Sequence, residues 1–309
     1  MVQTARKQSS GLAGKLPKNR IVLIIGKFTK FLFFIAASTC LFAYLLLSPI
    51  ACKQLYHFLL FHPIKYPIGS YGQSNISGVQ ASDEFFRAAD GTKLHGWLFK
   101  KPGAKYITIV HHGQGGNLTS NPLVLKMLLN ENLSVFAYDY RSFGRSEGKC
   151  DVPALLRDGE AAYKFVIQQS GYDNAHIIQC GLSLGTGVAA ELSARNYGSA
   201  TILVTPYTDL VQAGYDKLPA LQIYPGIMYY DMHIGAEKLA RSKHSPLLIV
   251  HGTQDQMIPV RHSDQLSKDA GADTTYLRIE GGTHDIFSGH EEIIDRTIKK
   301  FVTNLPKTP

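Results

Sequence analysis

The sequence predicts an α/β fold, a mostly parallel central sheet with helices on both faces and a short cap, preceded by one N-terminal transmembrane helix. Three observations carry this. From Tyr106 onward, short apolar runs alternate with helix-length segments, the pattern of a parallel sheet covered on both sides. One of those runs, His176–Cys180, enters Gly181-Leu182-Ser183-Leu184-Gly185, a strand–turn–helix context for a G-x-S-x-G pentapeptide. Near the start, Phe31 to Cys52 is a run of 22 residues without a charge, about 33 Å as a helix and enough to cross a bilayer core.

The apolar run has aromatic and branched residues all round, so it reads as an anchor rather than a core helix. A cleaved signal peptide has a shorter apolar region and a small-x-small cleavage site, whereas here Pro49 and Ile50 precede Ala51. Pro49 also fits poorly with a lipid-modified Cys52. The net charge of the 309-residue chain is +8, but residues 1–30 carry seven Lys or Arg and no acid, leaving only +1 on the rest. A nucleic-acid surface would place the excess on the folded domain, so no nucleic-acid partner is expected. The positive-inside rule places the N-terminus in the cytoplasm and the remaining chain on the extracytoplasmic side of a membrane. The expected organisation is a basic tail over 1–30, an anchor over 31–52, a loosely packed connector over 53–80 and a catalytic domain over 81–309.

Within that domain, Glu84–Ala89 and Leu94–Phe99 flank Asp90-Gly91, a hairpin signal. Strands are expected at Tyr106–His111, Ser134–Tyr138, His176–Cys180, Ala200–Thr205, Leu247–His251 and Thr274–Ile279. Helices are expected at Leu123–Leu129, Val152–Gln169 with Asp151 as N-cap, Leu184–Tyr197, His262–Ala270 and Glu291–Val302. Residues 208–245 read as irregular. The four cysteines show no zinc spacing and no cofactor is implied; Cys150 and Cys180 are the one disulfide pair worth testing in an oxidising compartment. Asn75 and Asn117 match the glycosylation pattern, the second by chance within a site loop.

In sheets of this kind, function gathers in loops at the carboxyl ends of strands. A serine hydroxyl needs a base to take its proton, and the base needs an orienting carboxylate. After Ser183, His284 in Gly281-Gly282-Thr283-His284-Asp285 follows the last strand, and Asp255 in His251-Gly252-Thr253-Gln254-Asp255 follows the one before. The order Ser183, Asp255, His284 is that of a hydrolase triad, with Asp285 and Asp209 as reserve acids and His251 structural. The backbone N–H groups of Leu184 and Gln114, the latter in His111-His112-Gly113-Gln114-Gly115-Gly116-Asn117, are the expected oxyanion donors, worth about 3 kcal/mol each. A second match, Gly144-Arg145-Ser146-Glu147-Gly148, follows a strand but no helix begins behind it, and its charges suit an elbow poorly.

Together these residues resemble the α/β-hydrolase superfamily, and most of all its membrane-anchored, lidless abhydrolase-domain proteins, which overlap a serine aminopeptidase-like group. His112–Asn117 resembles the family's oxyanion motif. Asp139–Gly148 resembles its D-x-R-G-x-G-x-S-x-G loop, with Ser142 in place of the usual glycine, which makes Ser146 structural. Phe61-His62-Pro63 resembles a segment found between anchor and domain. The resemblance spans roughly residues 55–303 and implies an esterase, lipase or depalmitoylase-like serine hydrolase. The stretch 208–245 is short for a lid, and Tyr207, Tyr224 and Met228 are the expected substrate contacts. Hydrolysis of acyl esters or thioesters is the favoured reading. The alternatives are a peptidase, with Asp209, Asp216, Asp231 or Glu237 holding the substrate amine, and a binding module without catalysis.

Overall fold

The structure, a computed structural model, describes residues 18–65 and 75–306. It divides into two units, Met1–Cys52 and Lys53–Pro309. Arg6, Lys7 and Lys15 of the basic tail, and Tyr66-Pro67 of the expected connector, lie outside the described residues.

The first unit is one helix, α1 (Lys18–Leu46). Its stretch Val22–Leu46, 25 residues, is long and apolar enough to cross a membrane. The helix starts well before Phe31 because Val22–Ile25 continues the apolar pattern, and it stops before Pro49, whose ring disfavours helical backbone in the residue ahead of it. Large side chains such as Leu23, Phe28, Phe33 and Phe42 are exposed around it. Thr29 and Thr39 donate their hydroxyls back to the carbonyls of Ile25 and Ile35, so these two hydroxyls need no water.

The second unit begins with α2 (Lys53–Leu60) and is built on an eight-stranded sheet. Its strands are β1 (Ser82–Arg87), β2 (Lys93–Phe99), β3 (Ile107–His111), β4 (Ser134–Asp139), β5 (Ile177–Leu182), β6 (Ala200–Val204), β7 (Leu247–Gly252) and β8 (Thr274–Ile279). Their order is β8-β7-β6-β5-β3-β4-β2-β1. The hairpin β1–β2 and the pair β2–β4 are antiparallel; every other pair is parallel. The helices are α3 (Pro122–Asn130), α4 (Val152–Gln169), α5 (Gly185–Ala194), α6 (Leu210–Lys217), α7 (Glu237–Ala240), α8 (Arg261–Ala270) and α9 (Glu291–Thr303).

The period-2 alternation of the strands assigns the helices to two layers. Ile202, Val204, Leu248 and Val250 pack in one core with α3 and α9, through Val124, Leu128, Ile294 and Ile298. Leu203, Leu247 and Ile249 point the other way, onto Ala189 and Ala190 of α5, Leu239 of α7 and Leu266 of α8. A sheet with both faces covered must be apolar on both, which is why the strands are continuous apolar runs. Asp151 caps α4 as expected, accepting from the Ala154 N–H at 2.7 Å. The stretch 208–245 is not irregular: it folds into α6, two short 3-10 turns and α7, with Asp209 capping α6 at the Val211 N–H. The alternation there is broken by Pro219 and Pro225, so no long periodic pattern is visible in sequence. Nor are residues 53–65, the first part of the expected connector, loosely packed. Beyond α2, His62-Pro63 pairs in parallel with Gly115-Gly116.

The loop after β4 is fixed from beneath. The buried Arg141 guanidinium bridges Asp158 at 2.7 Å and Asp90 at 2.8 Å, and its backbone N–H reaches Asp158 as well. Ser142 follows with φ +66°, in the left-handed region that favours glycine. This is the position where the resemblance anticipates glycine, and serine adopts the same turn with its N–H donating to the Glu147 carbonyl. Cys150 and Cys180 are both free thiols, not a disulfide. Ser142→Gly is therefore expected to stabilise the fold by about 1 kcal/mol, read as a raised unfolding midpoint; a lowered midpoint would show that the serine side chain contributes more than the turn costs.

Candidate active site

β3 and β5 are neighbours in the sheet, with His111 opposite Gly181. The chain leaves β3 towards one side of the sheet and β5 towards the other, so the loops at their carboxyl ends open a crevice. Ser183 stands in the turn between β5 and α5 with φ +50°. The turn is this tight because three backbones meet in it. A Cβ on Gly181 would lie 2.5 Å from the Gly185 carbonyl oxygen, and one on Gly185 would lie 2.0 Å from that of His111. The Ser183 N–H is tied to the Val204 carbonyl, and its carbonyl accepts from the Thr186 N–H and hydroxyl.

The β7 and β8 loops bring in the other two residues. The Ser183 hydroxyl donates to His284 Nε2 at 3.1 Å, and His284 Nδ1–H donates to Asp255 Oδ2 at 2.7 Å. Asp255 Oδ1 accepts from the Met257 and Ile258 N–H groups at 2.7 and 2.9 Å, so the residue also serves as a turn cap. His251 was expected to be structural, and the geometry refines this. Its Nε2 lies 3.2 Å from Asp255 Oδ2 and 2.9 Å from the Ile258 carbonyl, while the Ser263 hydroxyl holds Nδ1 at 2.6 Å. Two histidines therefore share one carboxylate oxygen. Burial acts to raise the Asp255 carboxyl, but the bonds from His251, His284 and the Ile258 N–H outweigh it and hold the carboxyl well below the usual range.

Gly113 passes close to the serine: a Cβ there would sit 3.6 Å from that of Ser183. His112, buried between the rings of Tyr140 and Phe143, fixes the loop. The Tyr140 N–H donates to its Nε2 at 3.4 Å, so Nδ1 carries the proton and donates to the Gly113 carbonyl at 2.8 Å. Burial lowers the ring's proton affinity and keeps it in this neutral form. A trans peptide directs its C=O and N–H oppositely, so holding the Gly113 carbonyl also fixes the direction of the Gln114 N–H. From the other side, the His62 N–H donates to the Gln114 carbonyl and Ile64 pairs with Gly116, both at 2.9 Å. Among the described residues, neither the Gln114 N–H nor the Leu184 N–H has an accepting partner.

Ser183, Leu184 and Gln114 lie on a cavity of about 420 Å³ with mainly apolar walls. Tyr207 lines it and donates its hydroxyl to the Leu184 carbonyl at 2.9 Å; burial raises the phenol and keeps it protonated. Tyr224 and Met228 are not among the lining residues; Leu218, Leu221, Tyr229 and Met232 of the same stretch are. Tyr56, Leu59, Leu60 and His62 also line it, and sequence reasoning missed them. The available signal was the apolar run Leu55–Phe61, interrupted only by His57 and so unlike a solvated connector.

The other sequence-predicted residues are placed elsewhere. Ser146 is buried, its hydroxyl donating to the Asp139 carbonyl at 2.7 Å and accepting from the His95 N–H at 2.9 Å, so the second pentapeptide is a structural loop. Asp209 pairs with His233, Asp216 with Arg261 and His262, Asp231 with Lys53, and Glu237 with Arg241. None of the four lines the cavity. Asn117 is buried and caps Thr119, while Asn75 is exposed.

A carboxyl held low in the fold contributes stability that is present above the unfolded value and lost as pH falls towards the folded one. The stability difference between the native chain and Asp255→Asn is thus expected to be constant above about pH 5 and to shrink below about pH 4. Unfolding midpoints in detergent across that range test it; a pH-independent difference would contradict it.

No family model matches the chain. It is 30% identical over 226 residues to the uncharacterized protein YfhR of Salmonella typhi, covering 68% of this chain and 77% of that one. It is also 30% identical over 208 residues to alpha/beta hydrolase domain-containing protein 17B of Xenopus tropicalis, covering 65% and 68%. Among solved structures, an esterase of Pyrococcus furiosus superposes with a TM-score of 0.66 at 19% identity, over 79% of this chain and 97% of that one. An α/β serine hydrolase without a lid from Xanthomonas campestris gives 0.55 at 19% identity, over 74% and 97%. The chain belongs to the α/β-hydrolase superfamily.

Proposed function

We propose that the protein hydrolyses carboxylic esters or thioesters of acyl substrates through an acyl-enzyme on Ser183. The observation that carries this reading is the hydrogen-bond chain Ser183–His284–Asp255 opening onto an apolar cavity. His284 Nε2 takes the hydroxyl proton as Ser183 Oγ attacks the acyl carbonyl, and Asp255 holds the tautomer and balances the imidazolium. The carbonyl oxygen becomes an oxyanion that accepts from the Leu184 and Gln114 N–H groups. His284 then gives its proton to the leaving alkoxide or thiolate. Water, deprotonated by the same nitrogen, releases the acyl group in a second round. The apolar walls favour an acyl chain over a charged one. No observation favours a peptidase, since each carboxylate considered for a substrate amine is already paired away from the cavity.

The test is a chain-length series of acyl esters and thioesters. Ser183→Ala is expected to abolish turnover and fluorophosphonate labelling together. Unlabelled native protein with no turnover would leave a binding module instead. His112→Ala, which frees the Gly113 carbonyl, is expected to lower kcat roughly tenfold or more with little change in KM, because the Gln114 N–H matters most for the oxyanion. An equal fall in affinity for a non-hydrolysable analogue would assign His112 to the binding pocket alone.

We also propose that α1 anchors the chain in a membrane with its N-terminus cytoplasmic and the hydrolase unit on the extracytoplasmic side. Arg6, Lys7, Lys15, Lys18 and Arg20, ahead of the stretch Val22–Leu46, and Lys27 and Lys30 near its start support this orientation. Exposed Asn75 within Asn75-Ile76-Ser77 provides the test. Translation with microsomes is expected to add one glycan, lost in Asn75→Gln; an unmodified, protease-accessible domain would reverse the orientation.

A further inference from the structure

α2 is apolar on two stripes, and only one is packed. Tyr56 is buried with its ring 5.7 Å from that of Tyr229. Leu55, Phe58 and Leu59 share a second stripe at i, i+3, i+4 and are 47, 74 and 54% exposed. A surface helix of a soluble unit carries polar residues there. The stretch 218–230 presents the same chemistry. Ile227 and Tyr230, three apart along a 3-10 turn and so on one face, are 81 and 64% exposed. Leu218 is 49% exposed. Leu59 and Leu218 both line the cavity and are both half exposed, so they stand at its mouth. The two stretches are held together by the Tyr56–Tyr229 contact and by Lys53, which pairs with Asp231 and lies over the Tyr230 ring. The exposed apolar side chains therefore belong to one rim around the entrance to Ser183.

We propose that this rim docks on the acyl-chain boundary of a lipid bilayer, so that an acyl substrate enters the cavity from the lipid. Bulky aliphatic side chains with tyrosine and lysine at the margin are the composition of an interfacial surface. Lys53 and Lys217 stand at that margin; Asp231 is paired with Lys53, and Asp216, beside Lys217 in sequence, is paired with Arg261 and His262. In sequence α2 begins seven residues after the end of α1, a helix apolar enough to cross a membrane, so a bilayer is the apolar phase that the tether keeps within reach. The docking itself does not depend on the chemistry at Ser183; the identity of what enters rests on the acyl-ester reading above.

The test uses the full chain in phosphatidylcholine vesicles. Its single tryptophan, Trp97, is buried and beyond the reach of lipid. Phe58→Trp and Ile227→Trp each add a reporter on the rim, and Ile293→Trp adds one on exposed α9. Brominated acyl chains are expected to quench the two rim reporters about twofold and to leave Trp97 and the α9 reporter nearly unchanged. Rim reporters quenched no more than the α9 reporter would overturn the proposal, as would a rim signal that follows protein concentration rather than lipid, which marks contact between copies. In parallel, Phe58→Asp with Ile227→Asp is expected to slow hydrolysis of a vesicle-held long-chain ester about tenfold while a short soluble ester is turned over as before. Unchanged rates on both substrates would overturn the docking. Absence of Ser183-dependent turnover of either substrate would overturn the ester reading instead, with the quenching still deciding the docking.

Discussion

The site depends on one close approach, that of the α5 N-terminus to the end of β3. Gly185 sits so near the His111 and His112 carbonyls that no side chain fits, and Gly181 is closed off by Gly185 and Thr186 in turn. Because these backbones touch, Ser183 is forced into left-handed backbone at the head of a helix, and the His112–Gln114 loop passes directly beside it. The strained serine is supported by strand hydrogen bonds on one side and the helix on the other, so the surrounding fold over-determines it. Everything else in the crevice is arranged around that fixed point.

Buried histidines do much of this arranging. His112 in its neutral form holds the Gly113 carbonyl beside Ser183, and His251 shares the oxygen of Asp255 that faces His284. Each has both ring nitrogens engaged, which is what a buried imidazole requires. The end of β4 adds a second brace, since Asp139 accepts from the Leu118 N–H at 2.7 Å just beyond the Gly113–Gly116 loop. The segment His62–Ile64 adds a third through its strand-like pairing with Gln114 and Gly116. The segment that opens the second unit thus becomes part of the scaffold around Ser183, and its helix α2 becomes a wall of the cavity.

The sequence by itself determined what is local. Strand-length apolar runs, the small residues around Ser183, the glycine loops that carry Gln114 and His284, and the uncharged stretch from Phe31 to Leu46 within α1 all state their structure within a few neighbouring residues, because pleat, turn and helix are short-range geometries. The order Ser183, Asp255, His284 was also legible, since each follows a strand and all strands of a parallel sheet end on one side. What only the tertiary structure decided is which distant residues share a contact. His251 reaching Asp255 beside His284, Ser146 absorbed between β2 and β4, and α2 and His62 joining the cavity depend on strand order and loop path over tens of residues. Tyr224 and Met228 lay in the right stretch but on turns whose direction Pro219 and Pro225 set. A short apolar helix such as α2 reads the same in sequence whether its partner is a core, a cavity or a bilayer, because burial is a property of the neighbours that folding brings and not of the residues themselves.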